Sequence, residues 1–203
     1  MDILSGFGLA GAAGLNAYIP LLLLAIAQRL GYAHLNAPYD ILGSNVALGV
    51  LVVLLAVEVC ADKIPGVDHV NDIINTAIRP AAGAVLVLAS TGAGTLDPRL
   101  AALLGLITAG TIHATKATAR PFVTATTLGM GNPVVSTLED ILSFATALLA
   151  LVAPVVVVIL VVVLTFLAWR FIRRRRRARS SGGGRQSSVP PPPRSRTGEG
   201  AEG

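Results

Sequence analysis

Five long stretches of this 203-residue chain contain no charged residue, and they restrict the available folds more than any other feature. They cover residues 3–28, 41–57, 80–96, 100–115 and 141–169. A helix rises about 1.5 Å per residue, so roughly 20 apolar residues cross the ~30 Å hydrocarbon core of a bilayer. The sequence therefore predicts an all-α, polytopic helical membrane bundle with about five transmembrane helices.

The middle three stretches contain only 16 or 17 residues each, which is about 25 Å of helix. To cross a bilayer, they must draw neighbouring polar residues to membrane depth. Those neighbours include Glu58, Asp62, Arg79, Lys116 and Arg120. Two interpretations stay open: the side chains snorkel to the membrane interface, or they lie inside the bundle.

The first stretch is interpreted as one retained helix and not as a signal peptide. It is preceded by Asp2 and by no Lys or Arg, and it is longer than the apolar core of a typical signal peptide. Gly6, Ala10 and Gly14 recur at every fourth position. This spacing predicts a helix face that packs closely against a neighbouring helix.

Charge is divided unevenly along the chain. Hydrophobic residues make up 53% of the sequence and charged residues 13%, about half the charged share usual in soluble proteins. Residues 1–169 contain six Lys/Arg and nine Asp/Glu, whereas residues 170–203 contain ten Arg and two Glu. An apolar, slightly acidic body with few aromatic residues excludes a nucleic-acid-binding domain and argues against a soluble enzyme.

A run of arginines follows the last apolar stretch. It contains Arg173, Arg174, Arg175, Arg176 and Arg177, and the positive-inside rule then predicts a cytoplasmic C-terminus. These arginines either anchor the topology alone or also bind anionic lipid head groups. We divide the chain into a helical transmembrane domain, residues 1–172, and a basic, then Gly/Ser/Pro-rich tail, residues 173–203, predicted to be disordered.

Polar residues collect in two segments, 58–79 and 113–140. With five spans and a cytoplasmic C-terminus, both segments lie on the non-cytoplasmic side, so they can meet.

In the first polar segment, the spacing predicts a short amphipathic helix over residues 67–78. Asp68, Asp72, Asn75 and Arg79 share one face of it. This stripe either lies solvated in the membrane interface or faces a polar cavity.

In the second polar segment, His113, Lys116 and Arg120 share one helix face at i, i+3 and i+7. Pro121 is predicted to end that helix. Residues 121–138 are interpreted as a loop or a re-entrant segment.

The start of the following helix carries a capping pattern. Ser136 and Glu139 have the spacing of a capping box, and Glu139 and Asp140 suit the positive end of a helix dipole. Capping alone explains these residues.

No cofactor-binding or catalytic motif is recognised, and a single cysteine excludes an intramolecular disulfide or a cysteine-based zinc site. The predicted site is therefore a polar or ligand site without catalytic residues or metal. It comprises Asn16, Glu58, Asp62, Lys63, Asp68, His69, Asp72, Asn75, Arg79, His113, Lys116, Arg120, Asn132, Glu139 and Asp140.

Several motifs resemble a bacterial integral membrane protein family known only as domain of unknown function 4126. The resemblance covers residues 1 to about 172 and implies an integral protein of the bacterial inner membrane, with no activity or catalytic residue to transfer. The motifs are Gly14-Leu15-Asn16-Ala17-Tyr18, residues 61–72, Arg79-Pro80-Ala81-Ala82-Gly83, residues 113–121 and Gly131-Asn132-Pro133.

Three classes of function stay open. Ionisable residues at membrane depth favour a transporter-like protein, or one that handles lipids or small solutes, because such residues commonly line a path or a binding site. A structural or assembly protein, whose polar segments pair with one another and with a partner, is the first alternative. A metal-dependent intramembrane enzyme is the second, with Asp68, His69 and Asp72 as ligands of a divalent ion. In each case the expected partners are membrane lipids and a second copy of the chain.

One contact is predicted directly. Two cations on one helix face beside a short span are costly unless they are compensated. We expect Lys116 and Arg120 to pair with acids of residues 58–79 or with Glu139 and Asp140.

Overall fold

The computed structural model describes residues 1–64, 67–92 and 95–154, together with Val156, Ile159, Val163, Phe166 and Arg170. Chain contacts divide it into the units Met1–Val161 and Val162–Gly203. The arginine run 173–177 and the predicted disorder of the tail lie outside the described residues.

The described part of the chain is helical, without a strand. This confirms the predicted all-α class. It contains α1 (Ile3–Leu15), α2 (Tyr18–Arg29), a short 3-10 helix (Tyr39–Gly43), α3 (Asn45–Ala61), α4 (Val67–Ser90), α5 (Pro98–Thr127) and α6 (Asn132–Val152).

Three of the described helices are long and apolar enough to cross a membrane: α4 over Val70–Ser90, α5 and α6. α1, α2 and α3 are apolar but shorter. Large apolar side chains such as Val53, Ile107 and Phe144 are exposed on the outer faces of these helices, as expected for surfaces that face lipid. The count of about five spans stays a prediction.

The interpretation of residues 3–28 as one helix is wrong. The chain leaves the helix at Asn16, whose backbone is extended, and α2 begins at Tyr18. Met1, Asp2 and Ser5 line the same cavity as Ile26 and Leu30, so the start of α1 lies beside the end of α2. The two helices form a hairpin with its tip at Asn16 and Ala17, and each arm is only about 20 Å long.

Two prolines lie inside helices, and one of them, Pro121, is predicted from the sequence to end its helix. α4 continues through Pro80, so the predicted short helix over residues 67–78 is the first half of a longer one. α5 likewise continues through Pro121 to Thr127. Proline removes one backbone hydrogen bond, but packing against neighbouring helices maintains such helices in membrane domains. The Pro80 ring packs at Gly110 of α5.

α6 begins at Asn132, not after Ser136, so the capping box is wrong. Pro133 occupies the first turn, where proline needs no N–H donor and its fixed φ favours helix. Ser136 and Glu139 therefore lie within the helix. α6 ends at Val152, and most of the remaining apolar stretch to residue 169 lies outside the described residues.

Glycines bring α1, α4 and α5 into close contact. A Cβ added at Gly83 would lie 2.6 Å from the Gly105 carbonyl oxygen, and one at Gly6 would lie 3.0 Å from Ser90 Cβ. One at Gly14 would lie 2.6 Å from Ile112 Cβ. The predicted small-residue face of the first helix is thus a packing face, as in other membrane helix pairs.

Candidate functional site

The end of the bundle that contains the hairpin tip holds an unusual concentration of charge. We call this group the charged network. α3 and the residues that follow it contribute two acids and one lysine, α4 contributes an acid and an arginine, α5 contributes two cations, and α6 contributes two acids. Its members are Glu58, Asp62, Lys63, Asp72, Arg79, Lys116, Arg120, Glu139 and Asp140.

The polar stripe of α4 faces inward. Asn75 and Arg79 are almost completely buried, whereas Val70, Ile73 and Ile74 on the other side are more than half exposed. A helix in water would bury the apolar face. This inverted arrangement is suited to a lipid environment and matches the interpretation in which the stripe faces the protein interior.

Arg120 is in contact with acids from three parts of the chain. Its Nη1 lies 2.8 Å from Asp72 Oδ2 of α4, and its Nη2 lies 3.3 Å from Asp62 Oδ2 and 3.2 Å from Glu139 Oε2. The Arg120 side chain is only 9% exposed. Arginine suits this position because its planar guanidinium presents several donors at once.

Lys116, one turn earlier on α5, has a second set of partners. Its Nζ lies 2.8 Å from Glu139 Oε2 and 3.7 Å from Asp62 Oδ2. It also donates to the Leu15 carbonyl oxygen at 3.3 Å, at the end of α1 where backbone carbonyls lack helical partners. The predicted pairing of Lys116 and Arg120 with these acids is confirmed.

Arg79 is completely buried in the middle of α4. Its Nη2 donates to Glu58 Oε1 at 2.9 Å and lies 3.9 Å from Asp62 Oδ2. Its Nη1 lies 3.2 Å from His113 Nδ1. A buried ion pair costs the desolvation of both charges, so such a pair requires good geometry and further hydrogen bonds.

Asp62, directly after α3, is the acid with the most partners in the described network. It accepts hydrogen bonds from Asn71 Nδ2 at 2.7 Å and Ser136 Oγ at 3.3 Å. Burial acts to raise the pKa of Asp62, but Lys116, the Asn71 hydrogen bond and Arg120 together hold this pKa below its ordinary value. The three cations within 4 Å of Asp62 thus favour its charged form.

The hairpin tip connects to the network through Asn16, which is fully buried. Its Nδ2 donates to Asp140 Oδ1 at 2.9 Å. Its Oδ1 accepts from the backbone N–H groups of Tyr18 and Ile19 at the start of α2. Ser143 of α6 donates to the Ala12 carbonyl oxygen at 3.0 Å. The interrupted backbone is thus satisfied by side chains from another helix, as required away from water.

Among the residues that the structure describes, four buried polar atoms around the network have no hydrogen-bond partner: Glu58 Oε2, Asp72 Oδ1, Asn75 Nδ2 and Arg79 Nε. Two of them accept hydrogen bonds and two donate. Unpaired buried polar atoms are rare and indicate a bound water, an ion or another state of the site.

A cavity of about 450 Å³ opens beside the network between α4, α5 and the start of α6. Its polar lining consists of Asp72, Thr76, Arg120, Thr124 and Asn132. Hydroxyl, amide, carboxylate and guanidinium groups together can orient a small polar solute.

The structure brings most of the predicted residues together. Asn16, Asn75 and His113 contact or adjoin the charged network, Lys63 lies 3.4 Å from Asp140 at its edge, and Asn132 lines the cavity. The side chains of Asp68 and His69 lie outside the description. Within the described residues, no three His, Cys, Asp or Glu side chains are placed to hold a metal ion.

Sequence reasoning missed several neutral members of the site. Asn71 and Ser136 bind Asp62, Thr76 contacts His113, Thr124 donates to Asn132, and Ser143 reaches the hairpin. A signal was present, since Asn132, Ser136, Glu139 and Ser143 recur at i, i+4, i+7 and i+11 on one face of α6. This stripe continues the site along the helix.

The family comparison agrees with the motifs. No curated protein and no solved structure matches the chain. The family model described as "Domain of unknown function (DUF4126)" matches residues 3–174, which includes the hairpin and every described member of the charged network. The chain therefore belongs to the DUF4126 family.

Proposed function

We propose that this protein is a multi-pass, transporter-like membrane protein that binds a small polar solute at the charged network. The observation that carries the proposal is the meeting of a buried, multi-helix ion network with the tip of a broken apolar hairpin. Ionisable residues inside a membrane domain are costly and usually mark a solute or ion path.

The position of the network along the helices supports this function. Arg79 lies about 16 Å along α4 from Ser90, and the hairpin tip lies about 20 Å along α1 from Ile3. Both distances are comparable with half to two thirds of a ~30 Å hydrocarbon core. Many transporters place their sites near the membrane midplane, where interrupted helices offer free backbone groups.

In place of the predicted five spans, the proposed topology has four helices, α3, α4, α5 and α6, across the cell membrane and the α1–α2 hairpin as a re-entrant element within it. The arginine run 173–177 lies on the cytoplasmic side and binds anionic lipid head groups. Both proposals rest on the sequence pattern and on helix lengths.

A structural or assembly role is favoured by a different observation. Each described cation of the network already has an acidic partner within 3.4 Å. A network that is complete in this way can hold helices together without a ligand. The two functions differ in whether solutes interact with the cavity.

Binding can be tested on the purified full-length chain in lipid nanodiscs. Its thermal unfolding is measured against a panel of small carboxylates, amines, amino acids and inorganic phosphate, because a compound that binds the folded state stabilises it. We expect at least one class to raise the unfolding temperature in the wild type and in Arg99→Gln, an exposed cation on α5, but not in Thr76→Val.

Transport is then tested by uptake of the stabilising compound into proteoliposomes. Uptake that is lost in Thr76→Val but retained in Arg99→Gln supports the transporter-like function. If no compound in the panel stabilises the protein, and if neutralising the network only unfolds it, the assembly function is supported instead.

A further inference from the structure

The hydrogen bonds around His113 fix its protonation state. Arginine can only donate, so the contact of 3.2 Å between Arg79 Nη1 and His113 Nδ1 requires Nδ1 to be an acceptor. Thr76 Oγ1 donates its own hydrogen to the Asp72 carbonyl oxygen at 2.9 Å. It can therefore accept from His113 Nε2, which lies 3.2 Å away. His113 is thus a neutral ring with its hydrogen on Nε2.

The remaining site for a proton on this ring faces Arg79. With a proton on Nδ1, the N–H groups of His113 Nδ1 and Arg79 Nη1 would face each other at 3.2 Å. The positively charged ring would also lie beside the Arg79 cation. His113 can therefore accept a proton only if Arg79 moves away. Proton binding and the present position of Arg79 exclude each other.

A second position, closer to Glu58, is available to the Arg79 side chain. It holds Glu58 through a single hydrogen bond, from Nη2 to Oε1, while Arg79 Nε and Glu58 Oε2 are buried without partners. A guanidinium and a carboxylate can instead form two parallel hydrogen bonds. A shift of Arg79 from His113 toward Glu58 would pair both unpartnered atoms.

One added proton would also neutralise the formal charge of the described network. Five carboxylates face four cations within its described residues, so the formal charge is −1 while His113 is neutral. The charged groups around His113 are Asp72 and Arg79 of α4, Lys116 and Arg120 of α5, Glu58 and Asp62 at the end of α3, and Glu139 of α6. Tyr18 of α2 lies close enough to interact electrostatically with Glu58 and Arg79.

We infer that a proton is the ion taken up by this site and that His113 is the residue that binds it, with Arg79 released toward Glu58 at the same step. The inference deepens the proposed transporter-like function and rests on it, because it names the ion that would be coupled to solute binding. One N–H bond forms at Nδ1, and one Arg79–His113 hydrogen bond breaks. Histidine is suited to this task because its ordinary pKa of about 6.5 lies near physiological pH.

The protonation state can be read directly by ¹⁵N NMR of histidine-labelled protein in lipid nanodiscs. The sequence contains three histidines, so comparison with the double variant His34→Asn/His69→Asn assigns the signals of His113. At about pH 8 we expect a neutral ring with hydrogen on Nε2. Because burial and the neighbouring cations disfavour a charged ring, conversion to the doubly protonated form should require titration below about pH 5, while the protein stays folded.

A second measurement counts the protons. His113→Asn retains an oxygen that can accept from Arg79 but cannot bind a proton, so it should take up one proton fewer than the wild type over the same pH range. His34→Asn, which changes an exposed loop residue, is the matched control once its own titration is subtracted. The NMR measurement does not depend on whether His113→Asn folds.

Two results would overturn the inference: a hydrogen on Nδ1 at about pH 8, or a ring that stays neutral until the protein unfolds. If proteoliposomes take up a solute but the His113 ring never becomes doubly protonated, the proton site is refuted and the proposed function stays intact. A His113 that titrates as expected in a protein that binds none of the solutes would refute the proposed function alone.

Discussion

The α4–α5 pair is held together differently at its two ends. At one end, Gly83 and Gly105 allow the two backbones to touch. At the other, Arg120 reaches Asp72 through a salt bridge of 2.8 Å. The two glycines carry no side chain that could rearrange. The charged end is held by directional contacts that can exchange partners, so any change of state in this pair is expected there.

The largest effect is expected when the charged end is broken. Arg120→Gln removes a buried cation from Asp62, Asp72 and Glu139; Asp62 and Glu139 keep Lys116 as a partner, whereas Asp72 loses the cation with which it is paired. Breaking a buried pair from one side costs about 3–5 kcal/mol. We expect a loss of this size in the free energy of unfolding in detergent.

A second substitution tests whether the stability lost in Arg120→Gln arises from unmatched charge or from altered packing. Asp72→Asn in the Arg120→Gln background should restore part of the lost stability, because it removes one unmatched acid. A silent Arg120→Gln would mean that the side chain is solvated and that the two ends of the pair do not differ in this way.

The glycine end should be less costly to break but harder to rescue. A Cβ at Gly105 would meet the Gly83 carbonyl group and lie 2.9 Å from Ala84 Cα, and all of these are backbone atoms that cannot rotate away. Overpacking costs about 1–3 kcal/mol, and we expect the upper part of this range for Gly105→Ala.

Gly49→Ala is the matched control, since nothing lies within 4 Å of its added Cβ. Alanine is the better helix former by up to about 1 kcal/mol, so this variant should be neutral or more stable. Equal losses in both variants would show that the glycine contact is not a packing constraint.

The hairpin tip is expected to respond more weakly. Asn16→Ala removes the hydrogen bond to Asp140 and the acceptor for two N–H groups at the start of α2. Loss of such a cap costs about 1–2 kcal/mol. The exposed Asn36→Ala serves as the control, and thermal unfolding of both variants compares buried and exposed asparagines. Equal losses of stability in Asn16→Ala and Asn36→Ala would mean that the hairpin tip is not part of the site.

Sequence reasoning located the charged end better than it located the helices that carry it. The five-span prediction placed residues 58–79 and 113–140 on the same side of the membrane, where they can meet. The pairing of Lys116 and Arg120 followed from the cost of unmatched charge. Neither argument requires accurate helix boundaries.

The boundaries were wrong wherever a local signal competed with packing. Pro80 and Pro121 act as helix breakers in isolated chains, but here neighbouring helices hold the backbone in place. The break at Asn16 has the opposite cause, since its two flanks are apolar enough for one helix. Asn16 caps the next helix locally, since its Oδ1 accepts from the Tyr18 and Ile19 N–H groups. Its contact with Asp140, 124 residues away, is encoded by no local pattern.

The smallest effect concerns Arg99, a second arginine on α5 at the end opposite Arg120. Its side chain is exposed beside the first turn of the helix, where the positive end of the helix dipole gives a cation no advantage. Arg99→Gln should therefore change the free energy of unfolding by less than about 0.5 kcal/mol, as is usual for exposed surface substitutions. The measurement is the same unfolding experiment in detergent used for Arg120→Gln. The two variants remove the same charge from the same helix, so their difference isolates the surroundings of Arg120. If both variants lose stability equally, the loss arises from arginine in this helix generally, and the contrast between the two ends of the α4–α5 pair fails.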